Sequence, residues 1–374
     1  MAKTKISSGS FYVISEKRVK EQVGAWKSAM SGIKPYYAVK CNPEPLLLKW
    51  LSASGVGFDC ASAREIAAVK AVNSDADIIF ANPCKKREDI YYAMQNEVRT
   101  TVVDSIEEID KLTECQWPYK SLIRIRVEDS GSKMPFGAKF GADPATVPDL
   151  LNYAKERGQQ ISGISFHVGS GCEDPTQYNN AIRLASKMGC GENIDIGGGF
   201  TNDGFSGAAS QIQKARGYIP SNTKLIAEPG RFFAATSHDL FVKVIGKKRN
   251  LQGDGYRYTL DESLYGQFSC IPFDQAQPKW IRVRDQWEPR RPDVPGILYG
   301  RTCDSVDTIA KSPSTEELME GDWLWFPNMG AYTTVTSTEF NGFPKPPVLE
   351  LDDLPNPDSF VWPQARYVSP VKVT

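Results

Sequence analysis

Short β-branched and aromatic runs recur along the first two thirds of the chain, each closed by glycine, proline or an acidic residue. "YYAVK" (36–40), "GFDCAS" (57–62), "DIIFAN" (77–82), "TTVVDS" (100–105), "LIRIRV" (122–127), "ISGISFHVG" (161–169), "ENIDIGGG" (192–199) and "KLIAEPG" (224–230) read as eight strands. Helix-compatible stretches lie between most of them. "SAREIAAVKAV" (62–72) opens with Ser62 and Glu65 in a capping-box pattern. "PATVPDLLNYAKERG" (144–158) ends in the glycine expected after a helix. Strand and helix alternating eight times predict a parallel (β/α)8 barrel over residues 16–236.

The texture changes at about residue 237. "LFVKVIGKKR", "YRYTLDES", "GILYG", "DWLWFP" and "TTVTSTEFNG" are β-like runs parted by turn residues, with no helical alternation. They predict a mostly antiparallel β-domain over 237–374, joined by an N-terminal strand within 6–15. The proline-rich tail "PPVLELDDLPNPDSFVWPQARYV" reads as a loosely ordered extension.

Composition narrows the function classes. With 374 residues the chain exceeds what one core holds, in keeping with two domains. Lys plus Arg number 44 against 45 Asp plus Glu, so no basic excess favours a nucleic-acid partner. No apolar run is long enough to span a bilayer and the N-terminus lacks a secretory pattern, so a cytoplasmic location is expected. The eight cysteines form no CxxC pair and read as reduced thiols. Two histidines, His167 and His238, argue against a histidine-built metal centre, and no metal is expected.

Barrel chemistry gathers at the C-terminal strand ends. Those ends carry Lys40, Asp59 with Cys60 and Ser62, Asn82, Asp104, Arg124, His167 with Ser170, Gly197-Gly198-Gly199, and Glu228 with Arg231. A glycine run after the seventh strand and Arg231 after the eighth match the barrel phosphate position. Lys40, closing an apolar strand, is expected to be buried, which is costly for an ammonium unless it is paired or covalently consumed. A lysine at the mouth of a phosphate-binding barrel suits pyridoxal 5'-phosphate, with Glu228 facing the pyridine nitrogen and His167 stacked on the ring.

The ordered motifs "YYAVKCN", "FDCAS", "RIRV", "KFGA", "SFHVGSGC", "DIGGGF", "AEPGRFF", "YGQFSCIPFDQA", "YGRTCDSVD" and "MGAYT" resemble the fold-type III pyridoxal phosphate decarboxylases. These are the ornithine, arginine and diaminopimelate decarboxylases, here in the eukaryotic ornithine-type branch. The resemblance covers residues 10–343. It implies a barrel plus a β-domain, and assigns catalysis to Lys40, His167, Glu228 and Cys303. It gives cofactor binding to Lys40, Asp59, Arg124, His167, Ser170, Gly197, Gly198, Gly199, Glu228, Arg231 and Tyr332, with Glu65 nearby. Asp274, Asp304 and Tyr265 would bind substrate. It further implies a homodimer with shared active sites, bridged by Lys139 and Asp307. Asp274 favours L-ornithine, giving putrescine for polyamine synthesis; lysine or arginine decarboxylation is the alternative, and a non-catalytic binding homologue or a racemase is less favoured. Two departures stand out: Arg301 where the motif carries proline, and Ser305 where it carries glycine.

Overall fold

The computed structural model describes residues 9–188, 191–251, 253–284 and 287–350. The chain divides into two units: Val19–Phe233, and the described parts of 1–18 and 234–374. The predicted tail beyond residue 350 lies outside the described residues.

Eight parallel strands close the first unit into a barrel: Ile33–Ala38, Gly57–Cys60, Ile78–Phe80, Thr100–Val103, Lys120–Ile125, Ile161–Phe166, Asn193–Asp195 and Lys224–Ala227. The eighth strand returns to the first, with Leu225 opposite Ile33 and Ala227 opposite Pro35. All eight correspond to runs visible in the sequence. Most end earlier than the pattern suggests, because the polar and glycine residues that follow turn away to form caps and loops.

The first strand departs most. It runs through Pro35, tolerated where pairing changes from the eighth strand (Ile33, Lys34, Pro35) to the second (Tyr36, Tyr37, Ala38). It then stops at Ala38, and Lys40 sits on a single helical turn, Val39–Cys41. The helix Ala63–Val72 begins as expected: Ser62 Oγ accepts from Glu65 N at 3.3 Å. Glu65 reaches back to Ala61 N at 2.6 Å rather than to the cap residue's own amide, so the box closes one residue further out. Outside the barrel wall, Trp26 packs edge-on to Phe200 at 5.1 Å, while Phe205 and Phe232 lie 4.1 Å apart.

The second unit is built on an eight-stranded sheet. Its longest strand, His238–Arg249, pairs antiparallel with Phe11–Ile14, Tyr256–Leu260 and Trp323–Phe326. Period-two alternation sorts the two faces: Tyr12 and Leu240 enter one core cluster, Phe11, Val13 and Phe241 the other. Two pairings are parallel, Tyr256–Leu260 with Asp293–Tyr299 and Phe11–Ile14 with Val348–Glu350. The run "TTVTSTEFNG" forms no strand but turns and a single helical turn at Phe340–Gly342. Its hydroxyls bond locally instead: Thr333 Oγ1 to Met329 O at 2.8 Å, Thr336 Oγ1 to Tyr332 O at 2.9 Å, Ser337 Oγ to Thr334 O at 2.8 Å. Side chains that satisfy nearby carbonyls compete with a sheet ladder, and here they win over β-propensity.

Candidate active site

The strand ends of the barrel bring together most of the sequence-predicted cofactor residues. Lys40 Nζ donates to Asp59 Oδ2 at 3.0 Å. The Lys40 side chain is 44% exposed, against the expectation of a buried ammonium. The turn after Ala38 carries it out of the strand and lets the long stem reach solvent. Among the described residues the fully buried lysine is another one, Lys85, whose ammonium bonds Asn82 O, Val102 O and Glu108. Being satisfied on three sides, it has a structural task.

Glu228 is buried, and its backbone amide donates to Gly197 O at 2.7 Å. Beside it lies Asp195, fully buried at the end of the seventh strand. Burial, then the neighbouring Asp195 and Asp59, push the Glu228 carboxyl well above its usual range. Burial likewise raises Asp195 to about 7, against the lowering pull of its bond from Gly197 N. Sequence reading missed Asp195. A signal was present: a carboxylate flanked by Ile194 and Ile196, two residues ahead of the glycine run.

His167 is driven well below the ordinary imidazole range by burial, then by Arg124 and Lys40, so it is neutral at pH 7. Its Nδ1 accepts from Gly169 N at 3.0 Å, which leaves the ring proton on Nε2. Phe136 lies 4.9 Å from the ring. Burial also lowers the Arg124 guanidinium, opposed by Glu228, Asp104 and Asp59; it sits over the Phe140 ring at 4.9 Å.

The glycine run is dictated by packing as much as by ligand approach. Gly197 adopts φ 64°, and a Cβ there would stand 2.3 Å from Phe166 O. A Cβ on Gly198 would stand 2.8 Å from Glu228 O and 3.0 Å from His167 Nε2. Gly199 O accepts from Cys172 N at 3.0 Å. Arg231 Nη2 donates to Ser170 Oγ at 3.2 Å, leaving the hydroxyl hydrogen available to an anion.

These residues fit pyridoxal phosphate on their own chemistry. Asp59, Asp195 and Glu228 are buried, and Asp59 Oδ1, Asp195 Oδ2 and Glu228 Oε1 accept no hydrogen bond among the described residues. Lys40 and Arg124 are the cations that pull the Glu228 carboxyl back toward ionisation. A pyridinium nitrogen beside Glu228 would answer that excess of negative charge. Lys40 would carry the aldehyde carbon, and Ser170, Arg231 and the glycine turn would hold the phosphate.

The remaining candidates lie in the second unit, where four consecutive residues are each tied to a different anchor. Arg301 contacts Glu262 at 3.5 Å, and Thr302 gives its amide and hydroxyl to Asp307 Oδ2 at 3.1 and 2.6 Å. Cys303 N donates to Asn341 Oδ1 at 3.1 Å, and Asp304 accepts from the Tyr265 hydroxyl. The Cys303 thiol is exposed. The Tyr265 hydroxyl, then the amide of Val306, hold Asp304 below the usual carboxylate range. Asp307, expected to bridge subunits, is buried and also accepts from Leu264 N at 2.8 Å, so it braces its own loop. Tyr332 adopts φ 56°, a costly conformation for a bulky side chain. Asp274 closes the short helix Cys270–Asp274, at the carboxyl end where the helix dipole disfavours an anion.

The family model "Pyridoxal-dependent decarboxylase, pyridoxal binding domain" matches residues 16–235. The chain belongs to the pyridoxal-dependent decarboxylase family. It is 37% identical to ornithine decarboxylase of Caenorhabditis elegans over 367 residues, covering 91% of this chain and 86% of that protein. It is 39% identical to antizyme inhibitor 2 of Xenopus laevis over 347 residues, covering 86% of this chain and 76% of that one. Among solved structures, arginine decarboxylase of Paramecium bursaria Chlorella virus superposes with a TM-score of 0.87 at 36% identity, covering 92% and 96% of the two chains. This decarboxylase thus pairs a pyridoxal phosphate barrel with a mostly antiparallel β unit. No described helix is long and apolar enough to cross a membrane, and among the described residues no acidic, histidine or cysteine cluster is arranged for a metal ion.

Proposed function

We propose that this decarboxylase converts L-ornithine to putrescine and CO2, as a homodimer with active sites shared between subunits. The supporting observation is one loop that offers both an exposed thiol, Cys303, and a carboxylate, Asp304, kept ionised by Tyr265. A proton donor and a cation-binding anion are what a diamine-forming decarboxylase requires at the two ends of its substrate. The ornithine decarboxylase relatives favour the same substrate.

Bound pyridoxal phosphate supplies an electron sink for the pair left at Cα when CO2 departs. The chain's own residues do the rest. Asp59 aims Lys40 Nζ, and Glu228, whose carboxyl burial pushes up, would be drawn to its ionised form by a pyridinium nitrogen beside it. His167, neutral with its proton on Nε2, offers a flat, uncharged face. Cys303 Sγ returns a proton to Cα, which fixes the product as an amine. Asp304 and Asp274 would receive the distal ammonium, so shortening or lengthening the substrate by a methylene is expected to change kcat/KM by about 10- to 100-fold.

Incubation with equal amounts of ornithine, lysine and arginine, followed by product analysis, should yield mainly putrescine. A dominance of agmatine or cadaverine would overturn the ornithine assignment. Mixing inactive Lys40→Ala and Cys303→Ala subunits should recover part of the activity; no recovery after confirmed subunit exchange would argue against shared sites. A colourless holo preparation with no product would point instead to a non-catalytic homologue.

A further inference from the structure

We propose that Arg301 and Glu262 form an internal clasp that sets the position of the Thr302–Asp304 loop, making both positioning residues and leaving the Arg301 guanidinium out of substrate recognition. The inference rests on the reading of Cys303 and Asp304 as reaction groups. Arg301 stands where the decarboxylase motif carries proline, and an extra cation so near the substrate loop could repel or attract basic substrates.

Its surroundings argue otherwise. The guanidinium lies 4.1 Å over the Phe343 ring, and Nη2 faces Glu262 Oε1 at 3.5 Å. The Arg301 side chain is 19% exposed and that of Glu262 1%, so the charge points into its own unit. Arg301 N also donates to Glu262 O at 3.2 Å, a bond that proline could not make. Glu262 is itself fixed, accepting from Gln267 N at 2.8 Å and Ser263 N at 3.2 Å. The clasp and the loop share a second brace, since Phe343 lies two residues after Asn341, whose side chain holds Cys303 N. A buried carboxylate with one cation and two amides, tied to the residue two before the thiol, is a device for fixing a loop. The other departure is structurally neutral: Ser305 has no positive φ, so a serine there carries no strain.

The test compares Arg301→Met, Glu262→Gln, Phe343→Leu and the Arg301→Met/Glu262→Gln double variant. Steady-state rates are taken on ornithine, lysine and arginine. Iodoacetamide labelling of Cys303 in substrate-free holoenzyme is followed by peptide mass mapping, with the exposed Cys84 as internal control. A clasp predicts that each single variant lowers kcat/KM about tenfold on every substrate the enzyme accepts, with the ratios between substrates holding within about threefold. Labelling of Cys303 should change relative to Cys84, and the double variant should be no worse than the worse single. A change of more than about tenfold in the arginine-to-ornithine ratio, with Cys303 labelling unaltered, would make Arg301 a recognition group and overturn the proposal. Additive losses in the double variant would also overturn it. If Glu262→Gln does not fold, Phe343→Leu, which removes only the stacking face, decides through the same two readouts. Full activity in Cys303→Ala would sink the functional reading while leaving the labelling comparison of Arg301→Met and Phe343→Leu intact.

Discussion

The two units hold their functional residues in opposite ways. In the barrel, the carboxylates at the candidate cofactor site, Asp59, Asp195 and Glu228, are buried, and backbone packing sets their frame: Glu228 hangs on Gly197, and the glycine turn is packed against the carbonyl of Phe166. In the β unit, Cys303 is exposed and Asp304 half-buried, and both are held by side chains, from Asn341 and Tyr265. Chemistry common to a family can be written into strand ends that cannot move. Substrate choice is then left to loops whose anchors change one residue at a time.

If the barrel half is rigid by packing, Gly197→Ala should be the most damaging change in either unit. A methyl 2.3 Å from Phe166 O, at φ 64°, should abolish cofactor binding, read as loss of the visible absorbance of the holoenzyme. An active, coloured variant would break the contrast. Glu228→Gln should come next, lowering kcat by roughly 100- to 1,000-fold with small effect on KM.

Between these extremes lies a stability test of the buried carboxylates. Asp195 is lifted from 3.8 to about 7 in the fold, so the native state binds more protons than the unfolded chain across that interval. The contribution of Asp195 to the stability of cofactor-free protein should therefore fall as pH rises from 4 to 7, so Asp195→Asn should gain in melting temperature relative to wild type over that interval. Glu262, raised by burial to about 7, contributes in the same direction, while the buried His167 and His238, the latter lowered to about 3, contribute in the opposite one; these cancel in the comparison of the two proteins. A wild-type advantage over Asp195→Asn that grows with pH across the interval would contradict this account.

On the loop side the effects should be gentler. Tyr265→Phe removes the hydroxyl that keeps Asp304 ionised, and should raise KM about three- to tenfold with kcat little changed. Smallest of all, Ser62→Ala should cost about 1 kcal/mol of stability through its lost cap, without altering substrate ratios.

The same division explains what the sequence could show. Every barrel strand was legible because buried parallel strands read as short apolar runs between turn residues. The sequence puts Lys40 at the end of the first barrel strand and predicts burial, whereas the fold places it on the turn beyond that strand with its side chain 44% exposed. A two-residue period cannot show where a strand stops, and here the chain turns at Val39, directly before Lys40. Asp195 was hidden by its apolar neighbours, and the strained Tyr332 by the absence of any compositional mark for positive φ. The threonine run at 333–338 was misread because hydroxyl bonds to local carbonyls leave no periodic trace.

The pairing of Phe11–Ile14 has a consequence for synthesis on the ribosome. Tyr12 lies opposite Leu240 on one side and Val348 on the other. That segment emerges early yet waits for partners translated far later, while the intervening barrel can complete itself in the meantime. Nascent chains stalled between these points would expose an aromatic β-edge with nothing to pair against, a natural target for holdase chaperones.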